Sequence, residues 1–104
     1  MFQTELNDTG LKISDIEKIR SVFEKYPEVE KVILYGSRSK GNFKSFSDID
    51  LTLVGKKLNL TIQQKIESDL DDLLLPYKCD LSIYNLIQNN DLIEHIERVG
   101  QRFF

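Results

Sequence analysis

The sequence predicts an α/β domain with one small sheet and helices packed on it, and three observations lead there. Apolar residues recur at helical spacing in three separate stretches, short β-rich runs fall between them, and the 104 residues suffice for one hydrophobic core but not for two. A single domain spanning 1–104 follows, with a loose start over about 1–12.

The first helix is expected from about Asp15 to Lys25, where Ile16, Ile19, Val22 and Phe23 form a stripe. Ser14 and Glu17 have the spacing of a capping box, and Pro27 stops the helix. Val29 to Tyr35 is β-branched and apolar and runs into Gly36-Ser37, the pattern of a buried strand ending in a turn. After a basic, polar stretch, Ser47 to Val54 alternates, with Ile49, Leu51 and Leu53 on one face and Asp48, Asp50 and Thr52 on the other. That is a second strand with a polar edge.

Thr61 to Leu74 carries the stripe Ile62, Ile66, Leu70, Leu73 and Leu74, closed by Pro76. Lys78 to Ile83 alternates again and places Asp80 opposite in parity to Cys79 and Leu81. A last helix is expected from about Asn90 to Arg98, with cap candidates in Asn89, Asn90 and Asp91.

Composition narrows the function. The net charge of −3 argues against broad, salt-driven nucleic-acid binding. With Cys79 the only cysteine, no intrachain disulfide is possible, and a reducing cytoplasm fits best. No apolar run is long enough to span a membrane, and the start has no signal-peptide pattern. Cys79 falls in step with the core-facing residues, His95 on a helix surface away from any nucleophile. Phe2, Phe103 and Phe104 fit either local packing or a partner surface.

Asp48 and Asp50, two apart on a strand, present their carboxylates side by side. Like charges repel there unless a cation sits between them, the pair stays solvated or one carboxylate holds a proton, and a hard divalent ion is the natural relief. Magnesium takes one or two carboxylates plus substrate phosphates, so phosphate belongs nearby. Gly36 permits close backbone approach, the amides after it suit an anion, and the Ser37 hydroxyl adds a donor. Asp80 joins the pair if its strand is a neighbour, and three carboxylates hold two ions that clamp an in-line displacement at phosphorus.

Gly36-Ser37, ten intervening residues and Asp48-Ile49-Asp50, in the fuller forms Gly-Ser-Arg-Ser-Lys-Gly and Ser-Asp-Ile-Asp-Leu, resemble the signature of the polymerase-β-like nucleotidyltransferases. At this length the chain further resembles the minimal nucleotidyltransferase antitoxins encoded beside HEPN-domain ribonuclease toxins. The resemblance implies the nucleotidyltransferase fold with a mixed sheet, two Mg2+ ions, ATP as donor, and a HEPN toxin as partner in a hetero-oligomer. The toxin's tyrosine hydroxyl would be adenylylated and the toxin silenced.

On this reading Asp48 and Asp50 bind both metals, while Asp80 completes the one nearest the acceptor and helps activate its hydroxyl. Gly36 and Ser37 hold the β- and γ-phosphates, with Arg38 and Lys40 countering their charge. Two departures stand out: Ser39 where the family often has a small apolar residue, and no second domain to grip an acceptor. The latter favours a macromolecular acceptor. The competing readings are a non-catalytic module that masks its partner and a small-molecule (antibiotic) nucleotidyltransferase.

Overall fold

The first apolar stripe closes into helix α1 (Ile13–Glu24) in the computed structural model, which describes residues 9–104. Ile19, Val22 and Phe23 form its buried face. The expected capping box does not form: the helix starts at Ile13, and its N-cap, Lys12, makes no side-chain cap bond. The chain enters through a turn in which Leu11 N–H donates to Thr9 Oγ1 at 3.3 Å and Leu11 packs on the core, so winding begins before Ser14. Of the start expected to be loose, residues 1–8 lie outside the described residues, whereas Thr9 is buried. Phe2 lies outside them too.

Strand β1 (Lys31–Tyr35) leads into a single-turn helix α2 (Ser37–Lys40), then strand β2 (Ile49–Val54). Helix α3 (Leu60–Asp71) carries the chain across to strand β3 (Cys79–Ile83). A 3-10 turn (Tyr84–Leu86), helix α4 (Asn90–Val99) and a two-residue strand β4 (Gln101–Arg102) complete it. Side-chain oxygens cap the last two helices: Asn59 accepts from Ile62 N–H at 2.9 Å, and Asn89 from Asp91 and Leu92 N–H at 2.9 and 3.2 Å. Among the described residues no helix is long and apolar enough to cross a membrane.

The sheet is mixed, in the order β3-β2-β1-β4. β1 runs antiparallel to both β2 and β4, and β2 runs parallel to β3, as a helical crossover requires. One apolar face sets the register: Ile49 lies beside Cys79, Leu51 beside Leu81 and Leu53 beside Ile83. A slip of one residue would turn this whole set away from the core. α1 and α3 cover that face, and Ile19, Phe23, Val32, Leu34 and Ile66 are fully buried in it.

The other face is less polar than alternation suggests. Ile33 and Thr52, opposite each other on β1 and β2, are fully buried, as is Ile96 of α4, which packs against β1. The expected polar edge of the second strand is therefore confined to its first residues, because α4 shields the rest. Thr52 Oγ1 has no hydrogen-bond partner among the described residues. Thr52→Val is accordingly expected to raise stability by about 1 kcal/mol in urea denaturation, since the orphaned hydroxyl is removed at nearly constant shape. A destabilised variant would mean that the hydroxyl has a partner.

Residues 101–104, which carry no strand pattern in the sequence, close the sheet. Phe103 N–H donates to the Val32 carbonyl at 2.8 Å, and Arg20 Nε donates to the Phe103 carbonyl at 2.7 Å. The Phe103 ring is buried edge-on to Phe23, with Phe104 tilted against the same ring. Of the two roles open to this pair, local packing is the one the structure shows.

Candidate active site

The C-terminal end of β1 and the N-terminal ends of β2 and β3 meet at one margin of the sheet. There β1 stops at Tyr35, and Gly36 turns the chain with φ 76° and ψ −156°, a combination that side-chain-bearing residues rarely adopt. Lys40 N–H donates to the Gly36 carbonyl at 3.0 Å and Gly41 N–H to the Ser37 carbonyl at 2.9 Å, which winds α2 tightly. A helix leaves its first amides without intrahelical acceptors, so those of Ser37 and Arg38 begin the turn with donors to spare. An ideal Cβ on Gly36 would lie 2.2 Å from Asp50 Oδ2. The glycine therefore makes room for a carboxylate as well as for the turn.

Asp50 is paired in register with Tyr35 on one side and Asp80 on the other. Adjacent strands stand about 4.8 Å apart, and paired residues point to the same face, so these three side chains form one row. Asp48 precedes β2 by one residue and is exposed at its mouth, two positions from Asp50. The strand begins later than expected because Lys44 to Ser47 form a turn, with Ser47 N–H donating to the Lys44 carbonyl at 3.0 Å.

The acids feel one another. Burial raises the Asp50 pKa from 3.8 to about 6, and the charges of Asp80 and then Asp48 add to it. Among the described residues no three acidic, His or Cys side chains have already converged as a metal cage. Lys78 holds Asp80 from the solvent side, its Nζ 3.5 Å from Oδ1. The donor set nonetheless fits a hard divalent cation, because it offers only carboxylate oxygens and carries an uncompensated negative field at its centre.

Two neighbours escaped the sequence reading. Tyr35 shares the row with Asp50, and its hydroxyl pKa is raised by burial foremost and by the carboxylates of Asp50 and Asp80. His95 stands edge-on to the Tyr35 ring, 6.2 Å between centroids, and is only partly exposed. Burial lowers its pKa, as do Arg98 and Lys40, which makes it a neutral imidazole at neutral pH. The register of Tyr35 with Asp50 was the available signal, but it needs the strand pairing. Cys79 packs against the opposite, apolar face, and burial, with the charges of Asp71, Asp80 and Asp48, pushes its thiol up to about 11. It is no nucleophile at neutral pH.

The basic residues divide. Lys40 is exposed at the end of α2 and near enough to influence His95. Arg38, expected to counter phosphate charge, is instead 1% exposed. Its guanidinium donates to main-chain carbonyls, Thr9 at 2.8 Å, Ser47 at 3.0 Å and Ser45 at 3.2 Å, and so is spent on the fold. Ser39, the departure from the family pattern, donates its hydroxyl to the Val99 carbonyl, while Gln101 Nε2 donates to the Ser39 carbonyl at 2.9 Å. These bonds fasten α2 to α4 and β4.

A family model described as Polymerase beta, Nucleotidyltransferase matches residues 17–104. Among solved structures, the fold resembles a chain from a toxin-antitoxin crystallised with AMP-PNP: TM-score 0.70, 21% identity, covering 86% of this chain and 72% of that one. A chain of the MntA-HepT toxin-antitoxin gives TM-score 0.66 and 17% identity, covering 89% and 72%. A third, from the complex of tri-AMPylated Shewanella oneidensis HEPN toxin with MNT antitoxin, gives TM-score 0.65 and 18% identity, covering 88% and 70%. At these identities the likeness shows a shared fold. No curated protein matches the sequence.

Proposed function

Because the chain belongs to the polymerase beta nucleotidyltransferase family, we propose that it transfers AMP from ATP to a tyrosine hydroxyl of a HEPN-domain toxin, as that toxin's antitoxin. The observation that carries this reading is the register that sets Asp80 beside Asp50, with Gly36 against the Asp50 carboxylate. The acceptor and donor assignments draw support from the neighbours, one crystallised with AMP-PNP and another holding an AMPylated HEPN toxin.

Asp48, Asp50 and Asp80 would hold Mg2+, two ions on the family pattern, which when bound neutralises phosphate charge and the mutual repulsion of the acids. Gly36 lets the triphosphate approach the main chain, and the Ser37 hydroxyl and first-turn amides orient it. Lys40, exposed at the end of α2, supplies the counter-charge that the buried Arg38 cannot. Asp80, in register with Asp50 on the edge strand β3, would take the proton of the attacking hydroxyl. Catalysis by such a site is positioning plus charge neutralisation.

The test is to incubate the chain with a HEPN toxin, labelled ATP and Mg2+. Label is expected on a toxin tyrosine, with loss of ribonuclease activity, and neither is expected when Asp48→Asn and Asp50→Asn are combined. Neutralisation that persists without label and without the acids would instead identify a masking module.

A further inference from the structure

We propose that Arg38 is the positioning residue of this site, a buried guanidinium that holds together the chain segments delivering the three acids. The inference rests on the nucleotidyltransferase reading and deepens it. A guanidinium is a permanent cation, and a buried charge is costly unless something compensates it. Among the described residues no carboxylate does so. Compensation comes from carbonyl dipoles and ring faces, and their places in the chain are informative.

Nε donates to the Ser47 carbonyl at 3.0 Å, one residue before Asp48. Nη2 donates to the Ser45 carbonyl at 3.2 Å and reaches that of Lys44 at 3.5 Å. One face of the group meets the Tyr77 ring, 4.8 Å from its centroid, three residues before Asp80. The Phe43 ring lies 5.3 Å away, and Gly10 packs so closely on Phe43 that an added Cβ would lie 2.2 Å from Cε2. The remaining bond, to the Thr9 carbonyl at 2.8 Å, anchors the assembly to the entry of α1. Arg38 itself follows Gly36 by two residues.

A single side chain thus touches the glycine-serine turn, the loop that ends at Asp48 and the approach to Asp80. Residues 42–48 have no ladder partner, so the loop depends on this group and on the Lys44–Ser47 turn for its position. Only a planar fork with several fixed donors can serve four main-chain carbonyls while lying between two rings; an ammonium, with three donors, cannot. The consequence for the reaction is indirect: no ligand is lost when the guanidinium is removed, but Asp48 loses its fixed place relative to Asp50 and Asp80.

The experiment compares the intact chain with Arg38→Lys, well below the melting temperature of each, using Mn2+ titration by electron paramagnetic resonance with AMP-PNP present. Arg38→Lys is expected to remain folded and to bind Mn2+ about tenfold more weakly, as when residues supporting metal ligands are lost. Amides 44–48 should exchange faster with solvent, and the Mg2+ dependence of turnover should shift upward with kcat partly restored at high Mg2+. A purely structural role would lower the melting temperature and leave metal affinity and Mg2+ dependence unmoved. If Arg38→Lys does not fold, Tyr77→Leu, which removes one stacking face and leaves the hydrogen bonds, is expected to weaken Mn2+ binding about threefold. A folded variant with wild-type affinity overturns this inference alone. A wild-type chain that binds no Mn2+ with AMP-PNP overturns the functional reading, and this inference with it.

Discussion

Asp50→Asn is expected to lower nucleotidyl transfer by about a thousandfold or more while making the metal-free protein more stable. The two effects have one cause. Asp50 sits partly buried between Asp80 and Asp48, and its pKa in the fold is about 6 against an ordinary 3.8. Between roughly pH 4 and 6 the native state therefore holds more protons than the unfolded chain, and stability falls as pH rises through that window. The stabilisation is complete below the unfolded value and gone above the folded one. At neutral pH the ionised carboxylate is a liability of about 1 kcal/mol once solvent screening is allowed for, and asparagine removes it. Urea denaturation of the metal-free proteins at pH 4 and pH 7 checks this: the wild type should lose stability across the interval, and the variant should lack that component. With Mg2+ and nucleotide the order should reverse, because only the wild type gains ligand stabilisation.

Gly36→Ala is expected to damage the same place from the other side. Alanine must adopt φ near 76°, which strains its backbone, and its methyl must displace an Asp50 carboxylate oxygen 2.2 Å away. A stability loss of about 1–3 kcal/mol and a loss of turnover of about a hundredfold should follow. A double-mutant cycle with Asp50→Ala separates the causes. The steric share vanishes when the carboxylate is gone, whereas the backbone share remains. A full, additive cost in the Asp50→Ala background would show that the glycine serves the turn alone.

The parts of this fold that can be read from the chain are those written in short-range pattern. The alternation of Ile49, Leu51 and Leu53 and the stripe of Ile62, Ile66 and Leu70 locate elements, and Gly36 marks the end of a strand. Asp80 is different in kind: its parity is local, but its place beside Asp50 exists only through the parallel pairing of β2 with β3. Arg38 shows the limit most sharply. A basic residue next to a phosphate-suited turn points outward by any local rule, and it is drawn inward by Thr9, Phe43 and Tyr77, none of which is adjacent to it in sequence. Gln101 and Arg102 form a strand without any apolar pattern, because β1 supplies the edge they pair with. Alternation puts Thr52 on the polar face of its strand, and α4 makes that face dry.

The anchoring of Phe103 on Arg20, eighty-three positions earlier, has a consequence during synthesis. All three acids have been polymerised once Asp80 is added, yet the β1 edge and the Phe23 ring stay uncovered at least until residues 101–104 have also been made. At ordinary elongation rates that interval lasts about one to five seconds. For that time the nascent chain carries the chemistry of its site without the sheet that brings it together, and an exposed strand edge in its place.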